Sequence, residues 1–132
     1  MSDLRLVLVT PERTVFDRPA ASVRVPLFDG SAGIYPGRAP LVGRLGIGEL
    51  RLVSPSGESE SMFIDGGFVQ VKGPVISVLT YSAMAVQDLS RKAAAQALAD
   101  AQAEKAASDE EYAGTARRLE RARRMLALAR RD

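Results

Sequence analysis

The sequence predicts an all-β domain followed by two α-helices, and the distribution of three residue types supports that division. All seven prolines and ten of the eleven glycines lie before Ser82. Beyond Leu89 there is no proline, and alanine supplies about a third of the residues. Glycine and proline punctuate short strands and turns, whereas alanine has the highest helix propensity. We therefore expect a β-sandwich over residues 1–86 and an antiparallel helical hairpin over residues 87–132.

Alternation of apolar and polar residues with a period of two predicts the strands of the first domain. Turn signals separate the alternating segments, for example Pro55-Ser56-Gly57 and Lys72-Gly73-Pro74. Spacing of this kind predicts a sandwich of about eight to ten short strands. The segments are centred on Leu4 to Leu8, Val23 to Val25, Leu50 to Leu52, Met62 to Ile64, Phe68 to Val71 and Val75 to Leu79.

Capping signals define where the two helices begin. Ser90 can accept hydrogen bonds from the first-turn amides of a helix that we expect to continue to Ala107. Ser108 and Glu111 form a capping box, in which Ser108 bonds the Glu111 amide and the Glu111 side chain reaches back. Acidic residues at this end and arginines at the other also suit the helix dipole.

Each helix carries one narrow apolar stripe. The stripe of the first helix is rich in alanine, so the hairpin buries little apolar area, and we expect it to be marginal and able to detach. We expect the hairpin to be packed by Ala94, Ala97 or Leu98, and Ala101 on the first helix, and by Tyr112, Ala116, Leu119, Ala122, Leu126 and Ala129 on the second.

Composition argues against an enzyme. The chain contains neither cysteine nor histidine, which removes disulfides, cysteine nucleophiles, zinc fingers and Ser-His-Asp chemistry. No acidic cluster has the spacing of a calcium loop, so no metal site and no catalytic residue is predicted. Nothing in the sequence resembles a signal peptide or a run long enough to span a membrane.

The net charge of +2 is unevenly distributed, because residues 91–132 hold ten Lys/Arg against seven Asp/Glu. Seven arginines and one acid, Glu120, lie between Arg117 and Arg131. From the residues alone, this basic helix fits a solvated face, a docking surface for acidic protein loops, or a surface for nucleic acid or anionic membrane.

Two glycine-rich segments have a plain structural interpretation. The segment from Asp29 to Leu41 carries no nucleophile or base, and its glycines and prolines fit a rigid corner between strands better than a binding loop. Asp65-Gly66-Gly67 lacks the lysine and following helix of a phosphate loop, so we expect a tight strand connection there.

Three segments resemble the ε subunit of the F-type ATP synthase. Val9-Thr10-Pro11-Glu12-Arg13 is similar to the opening strand and turn of that family. Gly33-Ile34-Tyr35-Pro36-Gly37-Arg38-Ala39-Pro40-Leu41 resembles its G-x-x-P-G-H-x-P-L signature, and Gly66-Gly67-Phe68-Val69-Gln70-Val71 resembles its S-G-G-F-x-x-V strand. The order and spacing agree, and the resemblance covers essentially the whole chain.

The resemblance implies a non-catalytic rotor subunit that links the γ subunit to the membrane c-ring and helps to couple proton flow to ATP synthesis. Ser31, Tyr35 and Arg38 are then the candidate contacts with the c-ring and γ. The chain would be a peripheral membrane protein, held through the complex, at the cytoplasmic face of a bacterial plasma membrane in preference to the stromal face of a thylakoid.

The sequence departs from the family at the proposed ring contact. Arg38 replaces the usual histidine, and Asp29-Gly30-Ser31 replaces an E-G-E pattern with the loss of one acid. Charge complementarity with the ring is therefore altered.

In the family, the hairpin can extend along γ into the catalytic αβ head and inhibit ATP hydrolysis. The resemblance therefore favours a solvated basic helix that docks to acidic loops of the head over binding to nucleic acid or anionic membrane. Bidentate arginine–carboxylate pairing suits that role. The candidate docking residues are Arg117, Arg118, Arg121 and Arg124.

Some members of the family bind ATP on the folded hairpin through an [IL]-D-x-x-R-A motif. Aligned on Leu89, this sequence has Ser90 and Ala93 where that motif has Asp and Arg. A shifted alignment offers Asp88 and Arg91 but breaks the flanks, so no cofactor is expected and regulatory ATP stays the minor alternative. The competing function is a stand-alone β-sandwich adaptor with a basic helical tail.

Overall fold

The computed structural model describes residues 4–129 and divides the chain into two compact units, Met1–Ala85 and Val86–Asp132. The first unit is all β and the second is helical. Eight strands lie within the described residues: β1 (Leu4–Val9), β2 (Thr14–Ala20), β3 (Ser22–Leu27), β4 (Gly30–Ile34), β5 (Leu41–Val53), β6 (Ser59–Lys72), β7 (Val75–Leu79) and β8 (Ala83–Ala85). A short 3-10 helix (Val86–Asp88), α1 (Arg91–Ala103) and α2 (Asp109–Leu128) follow.

The strands form one hydrogen-bonded path in the order β2-β1-β7-β6-β5-β3-β4, with β8 paired to β6. Neighbouring strands are antiparallel except for the parallel pair β1 and β7. The end of β6 pairs with β7, whereas its beginning pairs with β8. The long β5–β6 pair therefore contributes to two layers, which gives the predicted sandwich.

β5 and β6 are the exceptions to the expected short strands, with 13 and 14 residues. The β5–β6 register is the same on both sides of Gly46 and Gly66, running from Leu45↔Gly67 to Ile47↔Asp65. Gly66 and Gly67 have φ of +70° and +109°. The expectation of a tight strand connection there was wrong: both glycines lie inside the continuous strand β6, with positive φ that glycine adopts without a steric penalty.

The core of the sandwich follows the predicted alternation. In β1, Leu4, Leu6 and Leu8 are buried while Arg5 is exposed. A fully buried leucine contributes about 1.5–3 kcal/mol relative to an exposed one. In the other strands, the side chains that point inward complete one hydrophobic cluster. It includes Val23, Val25, Ile34, Leu50, Leu52, Ile64, Val69, Val71, Ile76 and Val78.

Both predicted helix starts are confirmed. The hydroxyl of Ser90 accepts from the Ala93 amide at 3.1 Å, and that of Ser108 accepts from the Glu111 amide at 3.1 Å. The Glu111 carboxylate reaches back to accept from the amide of Ala107, one residue before the cap. These bonds satisfy amides that the first turn leaves without intrahelical partners.

The first helix is shorter than predicted, because it ends at Ala103 instead of Ala107. Glu104 has extended φ and ψ of −66° and 142°, and it starts the connection to α2. Its carboxylate bonds Thr115 and Arg118, so the end of α1 lies level with the second turn of α2 and beyond. The beginning of α2 therefore extends past the end of α1.

This offset corrects part of the predicted packing stripe. Tyr112, in the first turn of α2 and beyond the end of α1, is 64% exposed, and Ala116 is exposed as well. Met125, which was not in the predicted stripe, is buried. Leu98 and not Ala97 accompanies the two buried alanines of α1. The predicted positions that are buried or half-buried are Ala94, Leu98, Ala101, Leu119, Ala122, Leu126 and Ala129.

None of the helices within residues 4–129 combines the length and the hydrophobicity needed to span a lipid bilayer.

Candidate functional site

The segment predicted to be a corner between strands contains a short edge strand followed by a loop. Gly30–Ile34 forms β4, which pairs with β3 from Leu27↔Gly30 to Val23↔Ile34. Ser31 therefore lies on a strand and not in a loop. The loop proper is residues 35–40, and its turn depends on Gly37, whose φ is +86°. A bond from the Arg38 amide to the Tyr35 carbonyl at 3.3 Å closes that turn.

Side chains from β3, β4 and the loop converge around Gly33. The Arg24 guanidinium donates to the Ser31 hydroxyl at 3.3 Å, and Arg38 reaches the Gly33 carbonyl at 3.5 Å. A Cβ on Gly33 would lie 3.0 Å from Tyr35 Cε2 and 3.5 Å from Arg24 Nη2. The missing side chain thus lets the tyrosine ring and one guanidinium lie over the strand. We call Arg24, Tyr35 and Arg38 the basic–aromatic cluster.

The cluster is open to solvent and electrically unbalanced. Tyr35 is 58% exposed, and both arginines are exposed. Within the part of the chain that the structure describes, neither guanidinium forms an ion pair with a carboxylate. The predicted ring contacts Tyr35 and Arg38 therefore lie together, Ser31 bonds Arg24, and Arg24 is the member of the cluster that the sequence did not single out.

A second surface was missed at the sequence level. Phe68 lies between Arg44 and Leu79 in one row across β5, β6 and β7. Val42, two residues before Arg44, points to the same face. Exposed fractions are 74% for Val42, 56% for Phe68 and 52% for Leu79.

Phe28 extends this surface, because the Arg44 guanidinium lies 4.6 Å from the centre of its ring and the Phe28 ring is 69% exposed. We call Phe28, Val42, Arg44, Phe68 and Leu79 the outer apolar face. The sequence indicates such a face where an apolar residue occupies a position of an alternating strand that points to solvent. Phe68 is an example, because Val69 and Val71 point inward. Contiguous exposed apolar side chains of this kind mark interaction surfaces.

A charged contact joins the connection between the two helices to α2. Glu104 accepts from Thr115 Oγ1 at 2.7 Å, from Arg118 Nε at 2.8 Å and from Arg118 Nη2 at 2.6 Å. Donation by Arg118 and then by Thr115 lowers the pKa of Glu104 to about 2. The same contact raises the pKa of Arg118. We call Glu104, Thr115 and Arg118 the interhelical clasp, since it joins the end of α1 to α2.

The four predicted head-docking arginines all lie on α2, but they are not equivalent. Arg118 is held by the interhelical clasp, and Arg124 lies 3.7 Å from Glu120 one turn earlier. Arg117 is exposed and Arg121 is half-buried. Docking through these residues stays a prediction, and Arg118 would first have to leave Glu104.

The two ATP candidates lie at the start of the helical unit. Asp88 ends the 3-10 helix and Arg91 is the first residue of α1, with both side chains exposed. Their role stays a prediction.

Comparison with known proteins identifies relatives along most of the chain. A family model described as the β-sandwich domain of the ATP synthase delta/epsilon chain matches residues 3–86. An ATP synthase epsilon chain from Rhodopirellula baltica is 51% identical over 98 residues, which are 74% of this chain and 76% of the relative. An ATP synthase epsilon chain from Nitrosomonas eutropha is 31% identical over 110 residues, which are 82% of this chain and 79% of the relative.

Solved structures share the fold. One chain in the mitochondrial ATP synthase of Euglena gracilis, solved as an assembly with F1 and the c-ring, matches with a TM-score of 0.87. The match has 22% identity and covers 96% of this chain and 81% of that one. A chain in the central stalk and c-ring of the Tetrahymena thermophila enzyme gives 0.71 at 14% identity, covering 96% of both chains.

Proposed function

The chain belongs to the delta/epsilon family of ATP synthase chains, and on that premise we propose that it is a non-catalytic subunit of the central stalk. In this role it links the γ subunit to the c-ring, so that proton translocation is coupled to ATP synthesis. The relatives named ATP synthase epsilon chain support this proposal, as does the likeness to chains solved within central-stalk and c-ring assemblies.

The observation that carries the proposal is the outer apolar face. A Phe, a Leu and a Val, each more than half exposed, stand on adjacent strands of a sheet whose opposite side is a packed core. Aromatic side chains at the centre of an interface typically supply much of its binding energy. We assign this face to γ, because a permanent shaft contact needs apolar area, and the basic–aromatic cluster to the c-ring.

The two surfaces belong to different parts of the sandwich. The outer apolar face uses β5, β6 and β7 together with Phe28 of the β3–β4 turn, whereas the basic–aromatic cluster uses β3, the edge strand β4 and the loop after it. A stiff sheet with two such surfaces can hold two partners in fixed relation, as a coupling element must.

Substitution within the outer apolar face tests the assignment to γ. Phe68→Asp introduces a charge at its centre, and we expect it to weaken binding of the full chain to γ at least about tenfold, because a buried aromatic anchor is lost. Ser56→Asp introduces the same charge in the exposed β5–β6 turn and should change binding by less than about twofold. Titration calorimetry with purified γ measures both; equal affinities for the two variants would remove this face from the γ interface.

We propose that the hairpin inhibits ATP hydrolysis when it opens. The buried residues of its helices are mostly alanines, and the interhelical clasp adds a charged contact between the end of α1 and α2. Opening would release Arg118 and present the arginines of α2 to acidic loops of the αβ head. A few kcal/mol of differential contact is enough to shift such a two-state equilibrium.

ATP binding at Asp88 and Arg91 is the lesser part of the proposal, because the flanking residues do not fit the motif. Calorimetry of ATP with the isolated chain tests it: heat that saturates at millimolar ATP or below, and that Arg91→Ala abolishes, would establish the site.

As part of this complex the chain would be peripheral, attached to the membrane through the c-ring. For a bacterial enzyme that position is the cytoplasmic face of the plasma membrane. Fractionation of intact membranes, with release of the chain only when the complex is stripped from its ring, tests this location.

A further inference from the structure

We propose that the basic–aromatic cluster receives a carboxylate side chain from the polar loop of the c-ring, so that the membrane partner contributes the acid of this contact. The inference rests on the proposed function and adds the chemistry of the partner. It is carried by two unneutralised guanidinium groups that flank one exposed tyrosine ring at Gly33.

The geometry of the cluster suits a single carboxylate. Arg24 and Arg38 approach Gly33 from the strand and from the loop, and each donates a hydrogen bond to an uncharged oxygen. Guanidinium groups retain further donors in a planar fork that matches a carboxylate bidentately. The Tyr35 hydroxyl lies 3.4 Å from the position a Gly33 Cβ would take, so it adds a third polar group beside the two forks.

The nearest acid along this hairpin lies too far away to neutralise the cluster. Asp29 stands at the β3–β4 turn, four residues from Gly33. At about 3.3 Å per residue, that is about 13 Å along the strand. On the neighbouring strand β5, Arg51 pairs with Arg24 and Glu49 lies two residues away on the same face, but within the described residues Glu49 forms no ion pair with Arg24. An external anion is therefore the natural partner.

The charge of the unit favours a protein carboxylate over a lipid surface. Residues 4–85 hold eight Lys/Arg and seven Asp/Glu, a net charge of +1. Electrostatic attachment to anionic lipid relies on clusters of about four to eight basic residues. Two guanidinium groups in a nearly neutral unit are matched to one or two discrete carboxylates.

The test uses the complete ATP synthase purified in detergent, with the amount of this chain per c-ring measured by quantitative mass spectrometry. We expect Arg38→Glu to lower retention about tenfold or more, because like charges then face each other across the contact. Arg24→Glu should act in the same direction. Arg13→Glu, the same charge change in the exposed β1–β2 turn, is the matched control and should retain the chain within about twofold.

Charge reversal in the partner identifies the carboxylate. Replacing an Asp or Glu of the ring's polar loop with Lys should lower retention of the unsubstituted chain and restore retention of Arg38→Glu. Arg38→Gln, which keeps hydrogen-bonding capacity without charge, should show an intermediate loss, and circular dichroism of each variant should match the parent chain.

Several outcomes overturn the inference. They are equal retention of Arg38→Glu and Arg13→Glu, a ring whose polar loop has no acid, and charge reversal without rescue. Binding of the chain to phosphatidylglycerol vesicles that depends on Arg38, with retention in the complex unchanged, would also overturn it in favour of lipid. If the unsubstituted chain is not retained with the ring at all, the proposed function fails together with the inference; if all variants are retained, only the inference fails.

Discussion

Gly67 shows most clearly how a single residue determines the shape of the sandwich. Its φ of +109° lies in a region that side chains rarely adopt, and an added Cβ would overlap the Leu79 carbonyl oxygen. Gly67 lies between the part of β6 that pairs with β8, from Met62 to Ile64, and the part that pairs with β7, from Phe68 to Lys72. A steric conflict at Gly67 would therefore disturb the adjoining pairing with β7.

We expect Gly67→Ala to lower the free energy of unfolding by about 4 kcal/mol, because backbone strain and a steric conflict, each typically about 1–3 kcal/mol, add at this position. Gly57→Ala is the matched control, because Gly57 also has positive φ, +93°, but no atom within 4 Å of an added Cβ. It should cost only about 1–2 kcal/mol of backbone strain. Urea denaturation followed by tyrosine fluorescence measures both, and equal losses would show that the close approach to Leu79 is unimportant.

The residues of the site were only partly predictable. Motif similarity pointed to Ser31, Tyr35 and Arg38, because their neighbours Gly33 and Gly37 dictate the local backbone. It did not point to Arg24, since that arginine belongs to a different strand and joins the cluster only through the β3–β4 register. Sequence spacing carries no information on such pairing until the register is known.

The outer apolar face illustrates the same limit differently. Phe68 was recognised as part of a strand, but its side of the sheet depends on which neighbours are core. Once Val69 and Val71 are known to point inward, Phe68 must point outward. A surface made of residues from several strands becomes visible only when their order in the sheet is known.

Among the elements, strands with clear alternation were predictable and the others were not. β1, β3 and β7 fit the alternating segments, whereas β4 carries Gly30 and Gly33 and so has little strand propensity. It forms because β3 offers it a complete edge with five paired positions. Tertiary pairing of this kind overrides local preference.

Helix starts were predictable because capping depends on residues close in sequence. We expect Ser108→Ala to lower the stability of the helical unit by about 1 kcal/mol, because the Glu111 amide loses its acceptor. Ser108→Asp retains an acceptor and should lie within about 0.5 kcal/mol of the parent chain. Thermal unfolding followed by circular dichroism compares the three proteins; no difference between Ala and Asp would show that the cap does not stabilise α2.

The end of α1 was less predictable. The alanine-rich sequence continues to Ala107, but the helix ends at Ala103, because Glu104 has an extended backbone and starts the connection to α2. The interhelical clasp gives this element a distinctive pH dependence. The pKa of Glu104 in the folded hairpin is about 2, below the value of about 4.3 for an unperturbed glutamate. The stabilisation is therefore complete above about pH 4.3 and is lost as the pH falls towards 2.

Because the chain contains no cysteine, two cysteines can be placed at exposed Ala99 and Ala113 for spin labels. We expect the distance distribution between them to broaden as the pH falls from about 4 to about 2. Glu104→Gln should already show a broader distribution at neutral pH and a weaker response in that interval. The same response in both proteins would show that the clasp does not hold the hairpin closed.

For the molecule as a whole, the division into a β unit and a helical unit supports a division of labour. The β unit has its own core and carries both proposed partner surfaces, whereas the helical unit has few large buried side chains. We therefore expect removal of residues 87–132 to leave coupling intact and to raise ATP hydrolysis, since only the inhibitory element is lost.

The most direct measurement of the central claim is proton-driven ATP synthesis by the complete enzyme in sealed vesicles, compared with ATP hydrolysis by the same preparations. The chain lacking residues 87–132 should sustain synthesis at the parent rate with hydrolysis increased, whereas full-length Phe68→Asp should lose synthesis. The account would be contradicted if the truncated chain failed to support synthesis, or if vesicles without this chain made ATP as fast as those that contain it.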